Sequence, residues 1–237
     1  MTSPVPVAFF DVDETLISVK SMFDFLRYQL EFRGAPEKTY ERCTGDLRRA
    51  ASNGAPREEV NRAYYRFFTG QNAAELAEAG RSWFGELAER DPFLAEPLAR
   101  LNAHRDAGTI IVLISGSFFA CLDPIAEAVG ATWAIGTRPI VRGGRLTGEV
   151  ITPMIGERKA RAVSAVAGVR GVRLRDCAAY GDHASDLPLL RCVGHPTIVG
   201  DDPVLAAYAR SHGWPRLSAA RNAGHHTPLT TLDKNED

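Results

Sequence analysis

The stretch FFDVDETLI, residues 9–17, places two carboxylates two positions apart directly after an apolar run. Residues 6–10 (PVAFF) are short, apolar and rich in strand-forming residues, which predicts a buried β-strand. Asp11 and Asp13 then lie at its carboxyl end, where ligands bind in an open parallel sheet. Since Asp is also common in ordinary turns, the meaning of this pair depends on the residues at the ends of the other strands.

The composition is that of a globular protein with a sizeable core. The chain has 237 residues, of which 45% are hydrophobic, enough for one large domain or a core with a substantial insert. Its formal net charge of -1 provides no field for nucleic acid or an anionic membrane. The four cysteines lack the spacing of a zinc site or a disulfide framework, so we expect reduced thiols.

The first ten residues, MTSPVPVAFF, lack the basic region and long apolar stretch of a signal peptide. No run elsewhere in the sequence approaches the length of a membrane span. We therefore expect a cytoplasmic protein with a small-molecule substrate and with neither a nucleic acid nor a membrane as partner. Nothing in the sequence indicates an oligomeric state.

Two kinds of pattern succeed each other along the chain. From residue 21 to about residue 107, apolar residues recur at helical spacing between turns rich in Gly and Pro. Strand and helix patterns then alternate, which predicts an α/β fold with a mostly parallel sheet, helices on both faces and the helical block inserted after the first strand. The later predicted elements are strands at 109–114, 131–135, 177–180 and 196–199, a hairpin at 138–151, and helices at 157–167, 184–191 and 203–212.

These patterns divide the chain into two expected domains and a tail. The core domain would comprise residues 1–17 and 94–217, and the helical insert would comprise residues 18–93. From residue 218 the sequence is polar and aperiodic, so residues 218–237 are predicted to form a disordered tail.

Polar residues also come directly after the later apolar runs. Ser115 and Gly116 come after the strand at 109–114, Asp182 and Asp186 after the strand at 177–180, and Lys159 lies at a helix start. The four aspartates would repel one another, since two like charges about 4 Å apart cost about 4 kcal/mol at an effective dielectric near 20.

The charges at this rim suggest phosphoryl chemistry. One lysine cannot neutralise four acids, whereas Mg²⁺ can, and it prefers a few carboxylates, waters and a substrate phosphate. Ser115, the backbone N–H groups after it and Lys159 would form a complementary anion pocket. Lys159 is a stronger candidate for a functional residue because only four of the 28 basic residues are lysines. For Ser115 alone, capping the next helix would be an equally good explanation.

The four segments resemble the motifs of the haloacid dehalogenase superfamily of phosphohydrolases, and their order and spacing are similar to the phosphoserine-phosphatase-like branch of subfamily IB. The matching residues are Asp11, Asp13 and Thr15 for the first motif, Ser115 for the second, Lys159 for the third, and Gly181, Asp182 and Asp186 for the fourth. The resemblance covers roughly residues 6–216 and is weakest in the helical insert. It implies a Rossmann-like core with an all-helical C1 cap inserted after the first strand.

The resemblance also implies a mechanism centred on the first motif. Asp11 would be the nucleophile that forms an aspartyl-phosphate, and Asp13 would be the general acid and base. Thr15 would orient the nucleophile loop. Mg²⁺ would be held by Asp11, the backbone carbonyl of Asp13 and Asp182, with Asp186 in or next to the ligand set.

The remaining motif residues would bind phosphate and substrate. Ser115, Gly116 and Lys159 would hold the phosphoryl oxygens, and the insert would close over the site and recognise the leaving group. Lys20 lies where phosphoserine phosphatases place a glutamate, so we expect a substrate other than phosphoserine. Lys20 would face a further anionic or hydroxyl-rich portion of that substrate, or else be an ordinary surface lysine. Glu14 is a further candidate for substrate binding, and its side chain would face the cap or else be solvated.

The leading interpretation is therefore a Mg²⁺-dependent phosphatase that acts on a small phosphorylated metabolite. Transfer of the phosphoryl group to an alcohol is a close alternative, since only the acceptor differs. A non-hydrolytic phospho-acceptor or binding protein is the alternative from another class. It is disfavoured because Asp11 lies near the amino terminus and every catalytic position is filled.

Overall fold

Parallel strands form the centre of the molecule. The computed structural model describes residues 6–36 and 38–221. The strands are β1 (Val7–Phe10), β2 (Ile110–Ile114), β3 (Trp133–Ile135), β4 (Pro139–Arg142), β5 (Arg145–Val150), β6 (Ala178–Gly181), β7 (His195–Val199) and β8 (Arg216–Leu217). Six of them form a parallel sheet in the order β3-β2-β1-β6-β7-β8, and β4 pairs with β5 in a separate antiparallel hairpin.

Helices surround this sheet. They are α1 (Ser21–Phe32), α2 (Lys38–Ser52), α3 (Arg57–Tyr65), α4 (Ala73–Ala88), α5 (Ala95–Asp106), α6 (Phe119–Val129), α7 (Glu157–Arg170), α8 (Leu187–Arg191) and α9 (Pro203–His212). Short 3₁₀ turns cover Arg66–Phe68, Leu174–Asp176 and Ala184–Asp186. None of the helices in the described part of the chain is long and apolar enough to cross a membrane.

Both faces of the sheet are covered. Every residue of β1 and β2 is buried, as expected of strands with helices on both sides. Since side chains alternate along a strand, Ala8 and Phe10 join a cluster shared with α4, α5 and α6, whereas Val7 and Phe9 join one shared with α7, α8 and α9. The predicted α/β fold with helices inserted after the first strand is confirmed.

The helical insert, predicted as residues 18–93, contacts the core at several places, two of which involve α4 and the chain just before it. At Gly80 in α4, a Cβ atom would lie 1.8 Å from the carbonyl oxygen of Ala120, so α4 rests directly on the backbone of α6. At the second place, the hairpin β4–β5 bonds to the chain just before α4, because the backbone N–H of Gly70 donates to the Leu146 carbonyl (2.7 Å) and that of Leu146 donates to the Gln71 carbonyl (2.9 Å). The hairpin is thereby hydrogen-bonded to the part of the insert that precedes α4.

The end of the core differs from the sequence expectation. The predicted disordered tail begins at residue 218, yet residues 218–221 continue past β8 and bond to the start of α5. The backbone N–H of Ala95 donates to the Ala220 carbonyl (3.1 Å), and that of Ser218 donates to the Glu96 carboxylate (2.8 Å). Backbone bonds of this kind depend on tertiary position and leave no pattern in the sequence. The rest of the predicted tail, residues 222–237, lies outside the described residues.

Candidate active site

The carboxyl ends of the central strands gather the motif residues at one rim. Asp11 lies directly after β1, Ser115 after β2, and Asp182 after β6, the strand on the other side of β1. Lys159 lies in the first turn of α7, shortly after Gly156, whose φ of 57° favours glycine. The structure therefore brings together residues that lie far apart in the sequence.

Lys159 lies between two carboxylates. Its Nζ is 2.7 Å from Asp11 Oδ1 and 2.6 Å from Asp186 Oδ1, and the lysine side chain is only 5% exposed. Burial opposes the charged ammonium, but the two carboxylates outweigh it and raise the pKa of Lys159. The lysine therefore carries a positive charge throughout the pH range in which enzymes work.

Negative charge exceeds positive charge around this lysine. Carboxylate oxygens of Asp11, Asp182 and Asp186 lie within 4.8 Å of one another. Burial raises the pKa of Asp11 to about 8, with Lys159 opposing the rise and the neighbouring carboxylates adding to it. Burial likewise raises the pKa of Asp182 to about 6, although the hydroxyl of Thr15 donates to Asp182 Oδ1 at 2.7 Å and opposes the shift. A group of three carboxylates with one lysine could hold a metal ion.

Asp13 follows Asp11 by two residues in the loop after β1. Its Oδ1 is buried and has no hydrogen-bond partner within the described part of the chain. Burial raises its pKa to about 7, which places the carboxyl between its two protonation states near neutral pH. The next residue, Glu14, has a φ of 60°, and this left-handed turn directs the chain toward the insert.

The loop after β2 is held from both sides. The backbone N–H of Ser117 donates to Ser115 Oγ at 3.1 Å, and the Ser117 hydroxyl accepts from Ser21 of the insert at 3.0 Å. The carbonyl of Gly116 accepts from three side chains. They are Asn61 Nδ2 (2.9 Å), Tyr65 Oη (3.1 Å) and Thr137 Oγ1 (2.8 Å). Because Asn61 and Tyr65 belong to α3, the insert is bonded directly to the loop that carries Ser115.

A cavity of about 590 Å³ lies between this rim and the insert. The motif residues line its inner end, and α1, α2 and α3 line the outer wall. Lys20 and Glu14 both face it and pair with each other, with Lys20 Nζ 3.2 Å from Glu14 Oε2. Both predicted substrate-binding residues are therefore in the cavity, but their charges largely balance.

The comparisons with known proteins agree with this geometry. The family model described as haloacid dehalogenase-like hydrolase matches residues 8–191. The chain belongs to the haloacid dehalogenase-like hydrolase family. A probable phosphatase of Mycobacterium tuberculosis is 33% identical over 222 residues, which cover 90% of this chain and 75% of that protein. A protein of the same species named phosphoserine phosphatase is 31% identical over 216 residues, covering 87% and 68% respectively.

The solved structures confirm the fold. A Bordetella pertussis protein of unknown function has a TM-score of 0.83 at 24% identity, with 92% of this chain and 100% of that chain covered. This likeness concerns the fold, whereas the family model and the relatives named as phosphatases confirm the predicted family and hydrolase class.

Several residues of this haloacid dehalogenase site were missed by the motifs. Asn61 has no motif around it, and Tyr65, also in α3, has none either. Thr137 lies in a turn after β3, where nothing marks it as a partner of Gly116. His183, between two motif residues, accepts at Nδ1 from the backbone N–H of Ser185 (2.9 Å) and thereby caps the 3₁₀ turn before α8. The fourth motif predicts an acid at 186 but not this cap.

Proposed function

We propose that this protein is a Mg²⁺-dependent phosphomonoester hydrolase that acts on a small phosphorylated metabolite through an aspartyl-phosphate on Asp11. Membership of a hydrolase family and relatives named as phosphatases support phosphatase activity. The observation that carries the proposal is the position of Lys159 between Asp11 and Asp186, at a rim that also holds Asp182. Phosphoryl transfer needs this combination of a nucleophile, a fixed cation and a metal-binding carboxylate group.

The residues at the rim fit Mg²⁺. The three clustered carboxylates carry more negative charge than Lys159 can balance. Burial raises the pKa values of Asp11 and Asp182, and the neighbouring carboxylates add to the rise. We propose that Asp11, Asp182 and the backbone carbonyl of Asp13 hold the ion, with Asp186 in or next to the ligand set. Bound Mg²⁺ would neutralise charge that develops on the phosphoryl oxygens.

In the first step, the Asp11 carboxylate attacks phosphorus and the bond from phosphorus to the leaving oxygen breaks. Lys159 favours the ionised form of Asp11 and, together with Ser115 and the backbone after it, holds the phosphoryl oxygens. Asp13 gives its proton to the leaving alcohol, which its pKa near neutrality permits.

In the second step, Asp13 accepts a proton from water while the water oxygen attacks the phosphorus of the aspartyl-phosphate. The acyl phosphate bond breaks, which releases inorganic phosphate and regenerates the Asp11 carboxylate. Thr15 keeps Asp182 in place throughout through its hydrogen bond. Both steps use groups that already lie around one cavity.

The insert, residues 18–93, acts in this proposal as a cap domain over the core formed by residues 1–17 and 94–217. Its outer wall contacts the leaving group, and Lys20 and Glu14 contribute polar contacts at the cavity mouth. Phosphoserine is not the proposed substrate, because the exposed Lys20 lies where those enzymes place an acid for the amino group.

Phosphate release from an aryl phosphate tests the function. Activity should disappear with EDTA, return with Mg²⁺, and fall at least about 10³-fold in Asp11→Asn, since removal of a covalent nucleophile stops the first step. Asp176→Asn changes an exposed carboxylate paired with Arg173 and should keep full activity. Unchanged activity in Asp11→Asn, or in EDTA, would contradict the mechanism. After incubation with a ³²P-labelled phosphomonoester, denaturing gels should show ³²P bound to the wild-type protein and none bound to Asp11→Asn.

A further inference from the structure

The outer part of the cavity has a different charge balance from the inner part. Three basic side chains from the insert line it, namely Lys20, Arg48 and Arg57. The charge of Lys20 is balanced by Glu14 at 3.2 Å. Neither arginine has a carboxylate within 4.0 Å among residues 6–36 and 38–221. The outer wall therefore presents two guanidinium groups whose charges are not balanced by neighbouring acids.

Arg57 contacts a ring that brings no negative charge. Its Nη1 is 2.9 Å from the imidazole of His183, whose Nδ1 already accepts a hydrogen bond from the backbone N–H of Ser185. The contact holds the Arg57 guanidinium over the loop after β6, and Arg57 makes no other side-chain hydrogen bond among the described residues.

Apolar side chains form much of the cavity lining. They include Met22, Phe23, Leu47 and Val60 from the insert and Ile155 from the core. A volume of about 590 Å³ lies in the middle of the range of small-molecule pockets, which is about 300–1,000 Å³. Such a pocket suits a leaving group with an apolar stem rather than a short polar one.

We propose that the substrate is a phosphomonoester whose leaving group carries a second anionic group, a carboxylate or a phosphate, beyond an apolar stem, and that Arg48 and Arg57 bind this second anion. This inference rests on the proposed phosphatase function and specifies its substrate class. Guanidinium groups bind carboxylates and phosphates through paired N–H donors, and such charge-assisted bonds are the stronger ones in proteins. Arg48 and Arg57 are therefore specificity-determining residues.

A matched set of four esters tests this proposal. Hexyl phosphate ends in a methyl group, 6-phosphooxyhexanoate in a carboxylate, 1,6-hexanediol bisphosphate in a phosphate, and 6-aminohexyl phosphate in an ammonium group. The wild-type enzyme should favour one of the two anionic esters over hexyl phosphate by at least about tenfold in kcat/KM, and should disfavour the amine. The better of the two anionic esters identifies the second anion.

Arginine variants connect this preference to the proposed residues. Arg48→Gln and Arg57→Gln should each reduce the ratio of kcat/KM values, anionic ester over hexyl phosphate, by at least about fivefold. Arg49→Gln is the matched control, because Arg49 is the neighbouring residue of α2 and pairs with Asp46. It should keep the wild-type ratio. A wild type without the preference, or a preference that survives in both variants, overturns the inference.

Calorimetric binding of the same esters to the Asp11→Asn protein separates the two proposals. If hexyl phosphate is hydrolysed, and the anionic esters are neither bound more tightly nor hydrolysed faster than hexyl phosphate, the phosphatase function stands and the anion subsite is wrong. The opposite result is that no ester is hydrolysed, that Asp11→Asn binds the anionic esters more tightly than hexyl phosphate, and that adding Arg48→Gln abolishes this difference in affinity. The subsite then stands and the hydrolytic function is wrong.

Discussion

The two ends of the cavity are stabilised by opposite means. At the core end, Lys159 and its carboxylates are buried, with the ammonium 2.7 Å from Asp11 and 2.6 Å from Asp186. At the insert end, Lys20 and Glu14 pair in solvent, with side chains 57% and 49% exposed. Buried charges depend on each other strongly and exposed ones weakly, so chemistry should depend on the core end and substrate choice on the insert end.

The largest effect should come from removal of the buried cation. Lys159→Met leaves Asp11 and Asp186 buried without their partner, and we expect kcat/KM to fall at least about 10³-fold, since the fixed cation at the phosphoryl group is lost. In EDTA the free energy of unfolding should fall by about 3–5 kcal/mol, the usual result of breaking a buried ion pair. Urea unfolding and steady-state phosphate release measure the two quantities.

Lys159→Arg serves as the comparison for this variant. It keeps the charge but brings a planar group into a site that fits a compact ammonium, so it should recover stability and little activity. If Lys159→Met retained wild-type stability and rate, the buried core end would be no more interdependent than the exposed insert end.

A second prediction concerns pH and the metal. The folded pKa of Asp11 is raised to about 8, so between about pH 4 and pH 8 the metal-free folded state holds a proton that the unfolded state has released. Stability in EDTA should therefore fall as pH rises through this window. Mg²⁺ needs ionised carboxylates, so it should stabilise the protein more at about pH 8.5 than at about pH 5.5.

Thermal unfolding with and without Mg²⁺ at the two pH values tests this linkage. At about one hundred times its dissociation constant, the ion should contribute about 2.7 kcal/mol. Asp182→Asn should lose most of the stabilisation at both pH values. An equal Mg²⁺ effect at both pH values would mean that the ion does not compete with protons at the carboxylates.

A third prediction tests the connection between the two ends. Tyr65→Phe removes one of three donors to the Gly116 carbonyl, so the loop that carries Ser115 is held less firmly. We expect kcat to fall about threefold to tenfold and stability to fall by about 1 kcal/mol. Tyr64→Phe is the matched control, because its hydroxyl donates to the Met22 carbonyl within the insert (2.6 Å). It should lose similar stability and retain kcat. Equal losses of kcat in both variants would refute a role for α3 in positioning the loop.

The contrast between the two ends also explains what the sequence could predict. The core end is encoded in short segments, since Asp11, Asp182 and Ser115 lie directly after apolar strands whose carboxyl ends meet at one edge. The contacts of Asn61 and Tyr65 with Gly116 depend instead on how α3 packs over the sheet. No local pattern encodes that orientation, so their role could not be predicted.

The same physical reason applies to the fold. Strands as apolar as β2 are recognisable from composition alone, because both of their faces are buried. The last strand, β8, contains only Arg216 and Leu217 and exists because β7 offers it a partner. It was absent from the sequence prediction, as were the bonds of residues 218–221 to the start of α5.

The smallest effect should come from the exposed pair at the cavity mouth. Lys20→Gln breaks the ion pair with Glu14, but both side chains stay hydrated. Exposed ion pairs contribute about 0–1 kcal/mol to stability. We therefore expect KM to rise by less than about fivefold, with kcat unchanged, and the rise to shrink at high salt as screening increases. Glu14→Gln keeps the backbone turn and supplies the second single variant for a double-mutant cycle, whose coupling energy should stay below about 1 kcal/mol.

A larger rise in KM for Lys20→Gln, still present when Glu14 is also changed, would mean that Lys20 binds substrate directly. The insert end would then contain three anion-binding groups, and the second anion of the substrate would lie closer to the mouth than Arg48 and Arg57 imply.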